Sequence, residues 1–162
     1  MVFTYITPLL TDVAGVPDAR VALYLLLFGL GVFGGNLAGG WLADRWPAAS
    51  VRLALAGLAG GLLALRLALA LPSLVAIAMV LLGLLAFATL APLQSHMMAR
   101  SPDGADTLGA TLNISAFNLG NAIGAWLGGV ALAASLGLPS LPLLAALLPL
   151  AALALAFIPE RT

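Results

Sequence analysis

From Val21 to Ala43 the chain carries no charged side chain. As an α-helix this run rises about 34 Å at about 1.5 Å per residue, enough to cross a hydrocarbon core about 30 Å thick. Leu74–Gln94, Leu108–Ser135 and Leu141–Ile158 are equally free of charge, and Val51–Leu71 holds only Arg52 and Arg66. Runs of this kind constrain the fold more than any other feature of the sequence. In lipid every backbone N–H and C=O must be bonded internally, which an α-helix does within one segment. Residues are 63% hydrophobic and 7% charged, against about 25% charged in soluble domains. Too little polar surface exists to coat a globule in water, so the fold expected is an all-α polytopic membrane bundle over residues 1–162.

Met1–Leu10 is a sixth apolar segment. At about 15 Å it spans half a bilayer, and Pro8 interrupts it. We read it as a truncated helix and the chain as the tail of a longer one, because a helix end in hydrocarbon leaves amides unbonded. The expected connections are Asp12–Arg20, Asp44–Ser50, Pro72–Ser73, Ser95–Thr107 and Leu136–Ser140. Links this short make consecutive helices antiparallel neighbours.

Net charge is zero and lysine is absent, which excludes a nucleic-acid footprint. With no cysteine and one histidine, neither a disulfide, a metal site nor a cofactor is expected. The N-terminus has no basic region of a cleavable signal peptide. Arg45, Arg52, Arg100 and Arg161 fall on one side of the membrane, Arg20 and Arg66 on the other. The positive-inside rule makes the first side cytoplasmic, with both termini there and Trp41 and Trp46 as interfacial anchors.

Gly35-Asn36-Leu37-Ala38-Gly39 and Gly120-Asn121-Ala122-Ile123-Gly124 share the pattern G-N-x-x-G, and Pro8-Leu9 and Pro92-Leu93 recur at almost the same offset. With three spans per copy the second copy enters from the opposite side. The six helices therefore read as two inverted three-helix repeats, a signature of secondary transporters.

The third and sixth spans are almost purely Ala, Leu and Gly, so they are expected to face lipid. The first, second, fourth and fifth carry the neutral polar groups and are expected to build the interior. Gly31, Gly35 and Gly39 lie four apart, as do Gly120, Gly124 and Gly128. Each set lines one helix face and lets a neighbouring backbone approach closely. A pairing of these two grooves with each other is one possible arrangement.

Asn118 and Asn121 lie about 18 to 23 Å along their helix from Asp106, near mid-membrane. Asn113, Phe117 and Asn121 share a face. Either the amides bond neighbouring helices, or they contact a substrate; Asn121 is the favoured substrate contact, with Asn118, Phe117, Asn113 and Tyr5 beside it. For Asn36 packing is favoured. Gly29-Leu30-Gly31-Val32-Phe33-Gly34 fits a dinucleotide fingerprint but lies inside an apolar helix rather than after a strand. Pro92 and Pro149 are expected to kink their helices. No Asp or Glu stands at mid-membrane, so no proton-coupling carboxylate is evident. The scattered acids and single histidine also argue against a membrane enzyme.

The second span ends Gly40-Trp41-Leu42-Ala43-Asp44-Arg45, which resembles the G-x-x-x-D-R loop signature of the major facilitator superfamily. With FTYITPLLTD, GGNLAGGWLADR and NISAFNLGNAIGAWLGG, nearly the whole chain resembles the C-terminal half of that fold. The similarity is to its drug:proton antiporter branch, especially arabinose-efflux-like and chloramphenicol-resistance-like members. Trp46-Pro47-Ala48-Ala49 departs from the family's glycine and basic pair. The resemblance implies efflux of a small molecule by alternating access in a bacterial inner membrane. It implies an N-terminal half or a second copy as partner, and a latch between halves at Asp44, Arg45 and Gly40. A half-size homodimer and a passive channel remain as alternatives.

Overall fold

The computed structural model describes residues 1–101 and 106–157. Arg161, one of the arginines that set the expected topology, lies outside the described residues, as does the last residue of the sixth expected span, Ile158. The described residues form five helical spans long and apolar enough to cross a membrane and a shorter apolar helix. With the span Pro72–Met98 divided in two, the elements in chain order are α1 (Val2–Val13), α2 (Asp18–Arg45), α3 (Pro47–Ala68), α4 (Pro72–Phe87), α5 (Leu90–Met98), α6 (Asp106–Ala133) and α7 (Leu141–Leu155).

α1 is irregular. It begins as a 3-10 turn over Val2–Tyr5, passes through one α turn at Ile6–Pro8 and closes as a π turn over Leu9–Val13. Its Val2, Ile6, Leu9 and Leu10 are buried in a core shared with the second half of α3, the first half of α4 and Ala145 and Ala146 of α7. The α2–α3 link is shorter than the expected Asp44–Ser50. Trp46 alone separates the helices, and Pro47 opens α3, a first-turn position where its missing N–H costs nothing. The Trp41 and Trp46 rings meet edge to face at 5.3 Å.

The fourth expected span is two helices. Pro92 has no N–H for the carbonyl of Ala88, four residues earlier, and its ring crowds that oxygen. α4 accordingly ends at Phe87 and α5 starts at Leu90. The Thr89 hydroxyl donates back to the Ala86 carbonyl at 2.7 Å. α7 by contrast continues through Pro149.

Helix pairing follows the small residues. Gly31, Gly35 and Gly39 of α2 lie against the backbone of Val80, Leu84 and Ala88, and Gly83 lies against the backbone of Phe28. Both helices advance by four at each contact, so α2 and the α4–α5 strand of the bundle run parallel. Gly124 and Gly128 of α6 lie against Met1 and the Tyr5 ring, again in parallel. The two grooves therefore do not pair with each other. α2 packs on α4, α6 on α1, and α3 on α7. α6 also packs on α5.

Within this chain the third and sixth spans are more buried than the second and fifth, against expectation, while the fourth is buried as expected. α3 buries Ser50, Ala54, Leu55, Ala59, Gly61, Leu62, Leu65 and Ala68. Its span is 39% buried against 11% for α2 and 17% for the span of α6. The physical reason is that Ala/Gly/Leu surfaces pack as well on each other as on lipid; small side chains let α3 and α7 meet closely. The polar residues of α2 and α6 mark faces that are left open.

Candidate functional site

A cavity of about 450 Å³ lies where α1, α2, α3, α4, α6 and α7 converge, within the range of small-molecule sites. Its lining is mainly apolar. Phe3, Phe28, Phe87 and Phe117 contribute rings from four different helices. Phe3 and Phe28 stand 5.2 Å apart, and Phe28 meets Phe87 edge to face at 6.4 Å. These spacings are those of favourable aromatic pairs, and they join α1, α2 and α4 into one aromatic wall. Two neutral polar side chains reach the lining, Asn121 from α6 and Thr89 from the α4–α5 break. Among the described residues, no acidic, basic or histidine side chain lines it.

Asn121 and Phe117, one helical turn apart on α6, both line this cavity. Asn113, a further turn back, donates through Nδ2 to Gln94 Oε1 at 3.1 Å and ties α6 to α5. The Tyr5 hydroxyl donates to the Ala125 carbonyl at 3.2 Å, and its ring fills the notch at Gly128. Asn118 is exposed and does not border the cavity. Asn36 is also exposed and donates to the Val32 carbonyl of its own helix at 3.1 Å. Gly120 has open space where a side chain would stand and borders the cavity. Asp44 and Arg45 are exposed in the last turn of α2, beside Gly40, which also has open space.

Thr89 belongs to the neutral polar groups of the fourth span expected to face the interior, whereas the rings of Phe3, Phe28 and Phe87 carry no such signal. The phenylalanines lie on separate helices, so no periodicity connects them. Thr89 had a signal, Pro92 three residues on, but a kink does not say which side chain it turns inward.

The arrangement suits an uncharged molecule with an aromatic or apolar body. Rings supply its walls, and Asn121 offers both a donor and an acceptor. A charged ligand would lose its hydration with no side-chain counter-charge among the described lining residues, at a cost of several kcal/mol or more.

Fold and cavity together define a polytopic α-helical membrane protein with a cavity among its helices. The chain is a homologue of MFS-type, or major facilitator, transporters. It is 39% identical over 165 residues to the inner membrane transport protein YdhP of Escherichia coli K12, covering 98% of this chain and 41% of that protein. It is 34% identical over 134 residues to the uncharacterized MFS-type transporter YtbD of Bacillus subtilis, covering 80% of this chain and 34% of YtbD. The chloramphenicol resistance protein of Streptomyces lividans is 32% identical over 122 residues, 75% of this chain and 31% of the relative. The chain thus spans about two fifths or less of the length of these curated relatives. No family model matches the chain, and no solved structure matches it.

Proposed function

We propose that the chain is a half-sized unit of a secondary active transporter that exports small molecules, and that the cavity beside Asn121 and Phe117 is its share of the substrate site. The observation that carries this reading is the uncharged, aromatic-walled cavity of about 450 Å³ in a chain homologous to transporters over 98% of its length. The name of the Streptomyces relative supports drug-like cargo.

Transport by alternating access needs a second unit to complete the cavity. The open faces of α2 and α6 support such a partner. Asn36, Ser115 and Asn118 are exposed along these two spans, and amides facing hydrocarbon are costly. The partner is the N-terminal half of the same transporter, with this chain as the C-terminal half of the fold; a second copy is the alternative. Asp44 and Arg45 then latch the two halves from the end of α2. The membrane is the bacterial cytoplasmic one, with the Arg45, Arg52 and Arg100 end inside.

Counterflow in proteoliposomes tests this. Vesicles holding the chain with its partner half are expected to show exchange-stimulated uptake of drug-like substrates, and vesicles holding monomeric chain alone none. Substrate equilibration without exchange stimulation indicates a channel and overturns the proposal.

A further inference from the structure

We infer that Thr89 is a specificity-determining residue of the cavity, accepting a hydrogen bond and selecting uncharged aromatic ligands that carry a hydroxyl or N–H donor. This rests on the reading of the cavity as a substrate site. Thr89 is 7% exposed and lines the cavity at the break between α4 and α5. Its hydroxyl proton is committed to the Ala86 carbonyl at 2.7 Å. A hydroxyl carries one donor and two acceptor lone pairs, so what remains for a ligand is acceptor capacity alone. Asn121 is the other neutral polar side chain on the lining and serves donors and acceptors alike. Thr89 therefore breaks the tie between the two kinds of ligand.

The break keeps this geometry in place. With Pro92 denying Ala88 a helical partner, the chain turns after Phe87, which puts Phe87, Thr89 and Leu90 together on the cavity wall. Phe87, two residues before Thr89, packs its ring on Phe28. Thr89 shares the cavity lining with Phe28, Phe87 and Phe117, which offers an aromatic ligand ring partners and an acceptor in one cavity. With no charged side chain among the described lining residues, the neutral form of the ligand is favoured.

The test compares para-phenylphenol with its methyl ether, which keeps the rings and removes the donor. Saturable binding of each is measured to the intact protein in nanodiscs. Wild type is expected to prefer the phenol. Thr89→Val keeps the side-chain shape without the hydroxyl, and is expected to reduce that preference by about two- to twelve-fold, a single lost hydrogen bond, leaving the ether unchanged. Thr89→Ser is expected to restore it, which separates the hydroxyl from a general effect on helix geometry. Phe117→Trp fills the cavity and is expected to weaken both probes. If Phe117→Trp weakens both while Thr89→Val leaves their ratio intact, the cavity binds ligand and the inference about Thr89 is overturned. If Phe117→Trp weakens neither, the site reading fails and takes this inference with it. Absence of saturable binding of both probes to wild type overturns the ligand class.

Discussion

Gly39 lies against the backbone of Ala88, so closely that an added Cβ would stand 2.7 Å from the Ala88 carbonyl oxygen. That oxygen is the one Pro92 leaves without a helical partner. The closest glycine packing of α2 along α4 thus continues to the point where the fourth span breaks.

Gly39→Leu is expected to force α2 from this position and lower stability by about 1–3 kcal/mol, the usual cost of overpacking. Its neighbour Gly40 has nothing within 4 Å of an added Cβ, so Gly40→Ala is expected to stay within about 0.5 kcal/mol of wild type. Thermal unfolding in detergent of the two variants side by side checks both.

Asn113 and Gln94 join α6 to α5 through a 3.1 Å hydrogen bond. Inter-helix bonds of this kind average about 0.6 kcal/mol in membranes, with a maximum near 1.7. A double-mutant cycle of Asn113→Ala and Gln94→Ala, read by unfolding, is expected to return a coupling in that range. Strict additivity would show that the two amides do not act on each other.

Gly124→Leu would meet the Met1 backbone, 2.9 Å from an added Cβ. It is expected to displace α1 from α6 and lower thermal stability in detergent. Wild-type stability would mean that this face of α6 is open in the protein.

Asp44 is exposed at the end of α2, where a latch between transporter halves would need it. Asp44→Asn is expected to slow transport by the complete transporter about two- to five-fold, the range of an exposed helix-end charge contact, while membrane insertion stays normal. Unchanged transport rates count against the latch.

The spans were legible because uncharged runs of this length have one solution in lipid. Gly31, Gly35 and Gly39 also announced a close helix contact through their spacing. Their partner was not legible, since the Val80, Leu84 and Ala88 contacts are made by backbone, which no side-chain pattern encodes. Polarity misled for α3 and α7. Polar residues show which faces need something other than lipid; they do not show that the something lies within this chain. In the cavity, Asn121 and Phe117 shared a readable helix face, whereas the rings of Phe3, Phe28 and Phe87 converge only through tertiary packing.

The central claim is that the cavity beside Asn121 holds substrate. The most direct measurement is Asn121→Ala in the complete transporter, with stability and substrate affinity determined separately. Affinity is expected to weaken by about 0.5–1.5 kcal/mol, one lost hydrogen bond, with stability close to wild type. Wild-type affinity for every substrate the transporter carries, with stability lowered by about 0.6 kcal/mol as for an inter-helix bond, would contradict it.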